Sequence, residues 1–93
     1  MTALTIPKEQ ITSHRFAPSP RQHTPDNIYQ VQSDLFRAMI IGNSSQGKVK
    51  IEFETQNGPH SVETTVWAAT DRYVSLKGGV NIPVGSINEV FVY

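Results

Sequence analysis

The chain has no cysteine. That excludes disulfides, thiolate nucleophiles and cysteine-ligated zinc. Small secreted domains commonly rely on disulfides, so the absence points to the cytoplasm. Long apolar runs are missing as well. Ala38 to Ile41 is short and interior, whereas crossing a bilayer takes about 20 residues. Met1 to Ile11 has neither the basic opening nor the apolar core of a secretory leader. No charge sign is in excess, because eight basic residues balance eight acidic ones. Coating nucleic acid by phosphate neutralisation needs a positive excess, so that class is excluded. Stacking a few single-stranded bases is not. Ninety-three residues make at most one domain. A chain of that size buries only about two thirds of its unfolded surface, which leaves no depth for a catalytic cleft.

Histidine is scarce: His14, His23 and His60. No pair has the close helical spacing of a zinc site, so these read as surface residues and no metal is expected. Nothing resembles a nucleophile elbow. Glu52 and Glu54 would share one strand face about 7 Å apart. Lys48 and Lys50 share that face too, which is the pattern of an exposed, charge-alternating strand and not of an acid–base pair. Four residues separate Gly42 and Gly47, and Lys48 follows, as in a phosphate-binding loop. Yet Val49 replaces the required hydroxyl, and a strand follows where a helix is needed. The segment therefore reads as a flexible loop. The chain is expected to be no enzyme and to carry no cofactor.

The composition changes near Asn27. Before it, Pro18, Pro20 and Pro25 lie among Ser, Thr, Gln, His and Arg. Each proline removes a donor and holds its predecessor extended. Residues 1–27 therefore read as a flexible tail, with one helical turn between Thr2 and Ile11, and residues 28–93 as a single domain. Ser33 suits an N-cap, Asp34 a first turn and Gly42 a stop. Leu35, Phe36, Met39 and Ile40 recur at helical spacing. This predicts a short helix over about 33–41, with a buried strand as the competing reading.

Beyond Gly47 the period becomes two. Val49, Ile51 and Phe53 alternate with charged residues, the pattern of a half-buried strand. Asn57-Gly58 predicts a hairpin turn. A second strand is expected over Ser61–Ala69, with Val62, Thr64, Val66 and Ala68 facing one way and Glu63, Thr65 and Trp67 the other. Thr70 to Arg72 turns into a third strand, Tyr73–Lys77. Gly78-Gly79 turns into a fourth, Val80–Val84, where Pro83 marks an end or an edge. Gly85 to Asn88 suggests a tight turn or a 3₁₀ turn, and Glu89–Tyr93 a fifth strand. Five short strands bury their apolar faces best by curling into a small antiparallel barrel, which also removes unpaired edges.

The order of a short helix, a hairpin, Tyr73 to Gly79, Ile82-Pro83-Val84 and Ile87 to Val90 resembles the five-stranded Sm-like and SH3-like barrels. It is also similar in layout to the small bacterial inhibitors of the Rho transcription terminator. The resemblance covers about 33–93. It implies a mainly β barrel that acts by binding, either a protein or, as in Sm-like rings, RNA.

The residues supply candidates for each. Trp67 falls out of phase with its strand and would face outward with Tyr73 and Arg72, as anchors for a protein partner. Phe16 is the one large apolar residue of the 12–27 stretch and would anchor a docking tail. For RNA, Lys48, Lys50, Arg72 and Lys77 would contact phosphates. The first expectation is a regulatory protein-interaction module; the alternative is an Sm-like RNA binder whose copies assemble through edge strands.

Overall fold

The computed structural model describes residues 4–7, 10–11, 15–22 and 24–93. Its one long helix, α1, spans Pro25–Ser45. Thr24 caps it: its Oγ1 accepts the Asn27 N–H at 3.2 Å. Pro25 occupies the first turn, where a missing N–H costs nothing, and Asp26 suits the positive end of the helix. The helix passes through Gly42 and stops at Gln46, which turns left-handed (φ 54°) and donates its N–H to the Gly42 carbonyl. The expected helix thus exists and the strand reading is wrong, but both boundaries shift. Ser33 and Gly42 are interior, and Pro25 starts a helix where it was read as part of a tail. The buried stripe also differs. It is Val31, Leu35, Ala38 and Gly42, while Phe36 and Ile40 are exposed.

Among the described residues, seven short strands make two sheets. They are β1 (Leu4–Thr5), β2 (Val49–Thr55), β3 (Gly58–Thr64), β4 (Val66–Ala69), β5 (Tyr73–Leu76), β6 (Asn81–Pro83) and β7 (Ile87–Val92). One sheet has the order β1-β3-β2-β7 and is antiparallel except for β1 on β3; the other, β4-β5-β6, is antiparallel throughout. The β2–β3 hairpin turns through Gln56 and Asn57, and Gly58 follows at φ 101°. Gly78 and Gly79 both take positive φ between β5 and β6, as their sequence suggested.

The described chain is mainly β with a helix before its main strands, as expected, but the helix is long where a short one was expected, and the strands do not form a closed five-stranded barrel. Six strands follow the helix. The expected second strand breaks at Thr65, giving β3 to one sheet and β4 to the other. The Thr65 carbonyl takes the Lys77 N–H, and its hydroxyl donates to the Gln46 carbonyl, so this residue is held by the second sheet and by the helix end. Closure would need β6 to pair with β7. Instead β6 has only three residues, ends on a proline with no donor, and leads into a 3₁₀ turn at Val84–Ser86.

The core lies between the sheets and under α1. Phe53, Ile51, Val49, Val62, Val66, Val74, Leu76, Ile82 and Ile87 are all fully buried there with Leu35 and Ala38. The stretch expected to be a flexible tail also contributes: Ile11 is fully buried and Ile6 nearly so. Ile6 donates to the Ser61 carbonyl, Gln56 to that of Arg15 and Ala17 to that of Glu54. In its described part, this stretch is packed around the β2–β3 hairpin. No helix among the described residues is long and apolar enough to cross a membrane.

Candidate functional site

Trp67 owes its position to one extra residue. Val66 pairs with Leu76, but Ala68 pairs with Ser75, so the β4–β5 register slips at Trp67. A β-bulge of this kind sets two successive residues against one partner and sends both to the same side. Val66 accordingly points inward, while Trp67 and Ala68 are both exposed. Simple alternation had placed Ala68 inward and Thr65 outward; the bulge and the break at Thr65 reverse both.

Tyr73 and Ser75 leave β5 on that same outer face, since Val74 and Leu76 point into the core. Trp67 is 47% exposed and Tyr73 53%. The preceding turn is fixed by Thr70, whose Oγ1 accepts the N–H groups of Arg72 and Tyr73 at 3.2 and 3.0 Å. Arg72 is exposed, and its carbonyl holds the N–H of Val84. On the β6 side, the Ser75 hydroxyl donates to Asn81 Oδ1 at 2.7 Å. Trp67 and Tyr73 are therefore exposed on the outer face of the β4-β5-β6 sheet, with Arg72 exposed in the turn that leads into β5.

Other sequence candidates fall elsewhere. Phe16 bridges to Thr55 and lies half-buried, its ring 5.9 Å from that of Phe53. It closes the core and is no free anchor. Lys77 is exposed just beyond β5. Lys48 precedes β2, and Lys50 lies within it, its ammonium 5.6 Å above the Phe91 ring. The four basic candidates are thus divided between two sheets. His60, read as a surface residue, is buried, stacked on Phe53 and hydrogen-bonded through Nδ1 to Thr55 and Gly58. Its place opposite Phe53 in the ladder puts it on the inner face. His14 and His23 lie outside the described residues. Among the described residues, no group of three metal-ligating side chains comes together.

Sequence reasoning missed a polar cluster. Glu52 and Glu89 are directly opposed across β2 and β7, a repulsive arrangement by itself. Arg21 answers it, with Nη1 2.9 Å from Glu89 and 3.8 Å from Glu52. Beside it, Asn88 accepts from the Ser19 hydroxyl and donates to Glu54. Gln22 donates to the carbonyls of Val84 and Ile87. Of these, Arg21, Asn88 and Glu89 border a groove of about 470 Å³ between β7 and the start of α1, which Asn27, Gln30 and Asp34 also line. The carboxylates gathered here are engaged by Arg21 and Asn88. Their chemistry is that of a clasp holding the 19–22 segment on the sheet. Only pairing Glu52 with Glu89 would have revealed it, and that needs the register.

A second apolar surface lies on α1. Tyr29 is 71% exposed, Phe36 56% and Ile40 52%. Beside Phe36 a hollow of about 270 Å³ is lined by Gln32, Ala69, Thr70 and Asp71. No protein-family model matches the chain, and neither does any curated protein or solved structure.

Proposed function

We propose that this chain is a non-enzymatic interaction module that binds a protein partner through the outer face of β4-β5-β6. The observation that carries the reading is the bulge at Trp67. It turns a large aromatic ring to solvent on the face that also carries Tyr73, on a backbone held by two strand pairings and by Thr70. Trp and Tyr, with Arg alongside, are the residue types on which binding energy concentrates. A rigid frame lowers the ordering cost when such rings are buried. Arg72 would sit at the rim and set orientation. A regulatory role fits a small module with no chemistry of its own.

The kinship with Sm-like and SH3-like barrels belongs to the same proposal. It is supported by the order helix, hairpin, three-stranded meander, 3₁₀ turn and a last strand returning to β2. The two sheets would be an opened form of that layout.

RNA is the second reading. Arg72 and Lys77 flank β5, which carries Tyr73, so a single strand could stack on the aromatics beside two cations. The position of Lys50 over Phe91, on the other sheet, weighs against one continuous phosphate track.

The test is co-purification from lysate with and without nuclease, using the native chain, Trp67→Ala and Tyr73→Ala. A protein that survives nuclease and is lost with either substitution supports the module. Recovery of RNA, with all else lost after nuclease, would replace it with the RNA reading.

A further inference from the structure

The β2–β3 hairpin turns through Gln56 and Asn57, so Thr55 and Gly58 close it as a hydrogen-bonded pair. Bonded pairs alternate along an antiparallel ladder. The backbone groups of Val49, Ile51 and Phe53 therefore face β3, and those of Lys50, Glu52 and Glu54 face the other way. The neighbouring segment agrees with this phase: Ala17 donates to the Glu54 carbonyl and Gln56 to that of Arg15. On that same side Glu52 stands opposite Glu89 and Lys50 opposite Phe91. Glu89 and Phe91 thus bond to β2, and the N–H and C=O of Val90 point to the free edge of β7. No described residue hydrogen-bonds to either group. Val90 is only 6% exposed, a place where backbone groups need partners.

Sheets blunt or cover their edges. Here β1 has two residues, β6 has three and ends on proline, and β4 is bulged at Trp67. The start of β7 is covered too. Gln22 Nε2 donates to the Ile87 carbonyl, and the Ser19 hydroxyl to the Asn88 side chain. That cover ends before Val90. Beside Val90 lies the groove of about 470 Å³, with Asn27, Gln30, Val31 and Asp34 of α1 as its far wall.

We propose that this groove receives an extended segment of a partner protein, which adds an antiparallel strand to β7 at Val90. A donor and an acceptor left open on one strand residue are what the backbone of a second strand satisfies. The walls set the sequence of that segment. Residues opposed across a ladder share a face, so the one opposite Val90 points inward with it, toward Val31, and is apolar. Its neighbour stands opposite Glu89 on the outer face. Asp34 and Glu89 are the acidic groups lining the groove and Arg21 its basic group, but Arg21 is already shared by Glu52 and Glu89. The neighbour is therefore basic. Ile87–Val92 contains no basic residue, so the β7 of a second copy does not supply this pattern. The site lies apart from the Trp67 face and does not depend on it.

Amide NMR of the full chain tests this. Without a ligand, the Val90 amide should exchange with solvent faster than those of Glu89 and Phe91. The probe is a capped heptapeptide alternating Lys and Val. It should shift the Val90 amide resonance and slow its exchange. Methylating the backbone nitrogens of the valines, which face β7, should weaken binding about ten-fold or more; methylating those of the lysines, which face away, should not. Glu in place of Lys should weaken it as strongly. A Val90 amide already as protected as its neighbours would overturn the proposal. So would an unchanged Val90 resonance at saturating peptide, or equal binding of the two methylated peptides.

Discussion

Gly42 of α1 lies directly on the carbonyl oxygen of Val66, so close that a Cβ at position 42 would fall on that oxygen. The same Cβ would be 3.1 Å from Thr65 Cγ2. The obstacle is backbone, which cannot swing aside. This contact seats the helix on β4 one residue before Trp67. Gly42 is therefore needed for close approach, and not for ending a helix.

Gly42→Ala should destabilise the fold by about 1–3 kcal/mol, the range for overpacking a tight interior, although alanine is the better helix former. Urea denaturation would show it. A variant as stable as the native chain would mean that α1 is not seated on β4 as described.

Ile11 makes a second case. It is fully buried in a stretch whose prolines read as a flexible tail. Ile11→Ala should cost about 2–4 kcal/mol, as for other large-to-small changes in a core. A free tail would give no change in the same denaturation experiment.

The difference between reading and structure has specific causes. Period-two alternation over Val49–Phe53 was visible because one face of β2 is buried along its whole length. Gly78-Gly79 was visible because both residues take a backbone conformation that glycine favours. Pro25 misled because a proline that breaks a helix interior is well suited to its first turn, and only the Thr24 cap distinguishes the two. The break at Thr65 and the bulge at Trp67 were hidden, since both depend on which strand lies alongside. The outward position of Trp67 was legible from its phase, but the exposure of Ala68 beside it was not.

The clasp at Arg21 should behave as a surface ion pair does. Arg21→Ala leaves Glu52 and Glu89 facing each other across the β2–β7 ladder. The expected loss is about 1 kcal/mol or less, because Arg21 is more than half exposed. The loss should shrink as salt screens the carboxylates. Comparing native and variant midpoints at low and high salt checks this. A loss that stays constant with salt would show that Arg21 acts by packing alone.

The central claim is that the face bearing Trp67 is where a partner sits. Trp67 is the only tryptophan in the chain, so its fluorescence reports that face without a label. Titration of the native chain with the co-purified partner should shift its emission to shorter wavelength and shield it from acrylamide, as solvent leaves the ring. Binding that leaves both the emission and the quenching unchanged would contradict the account, because the partner would then occupy some other surface.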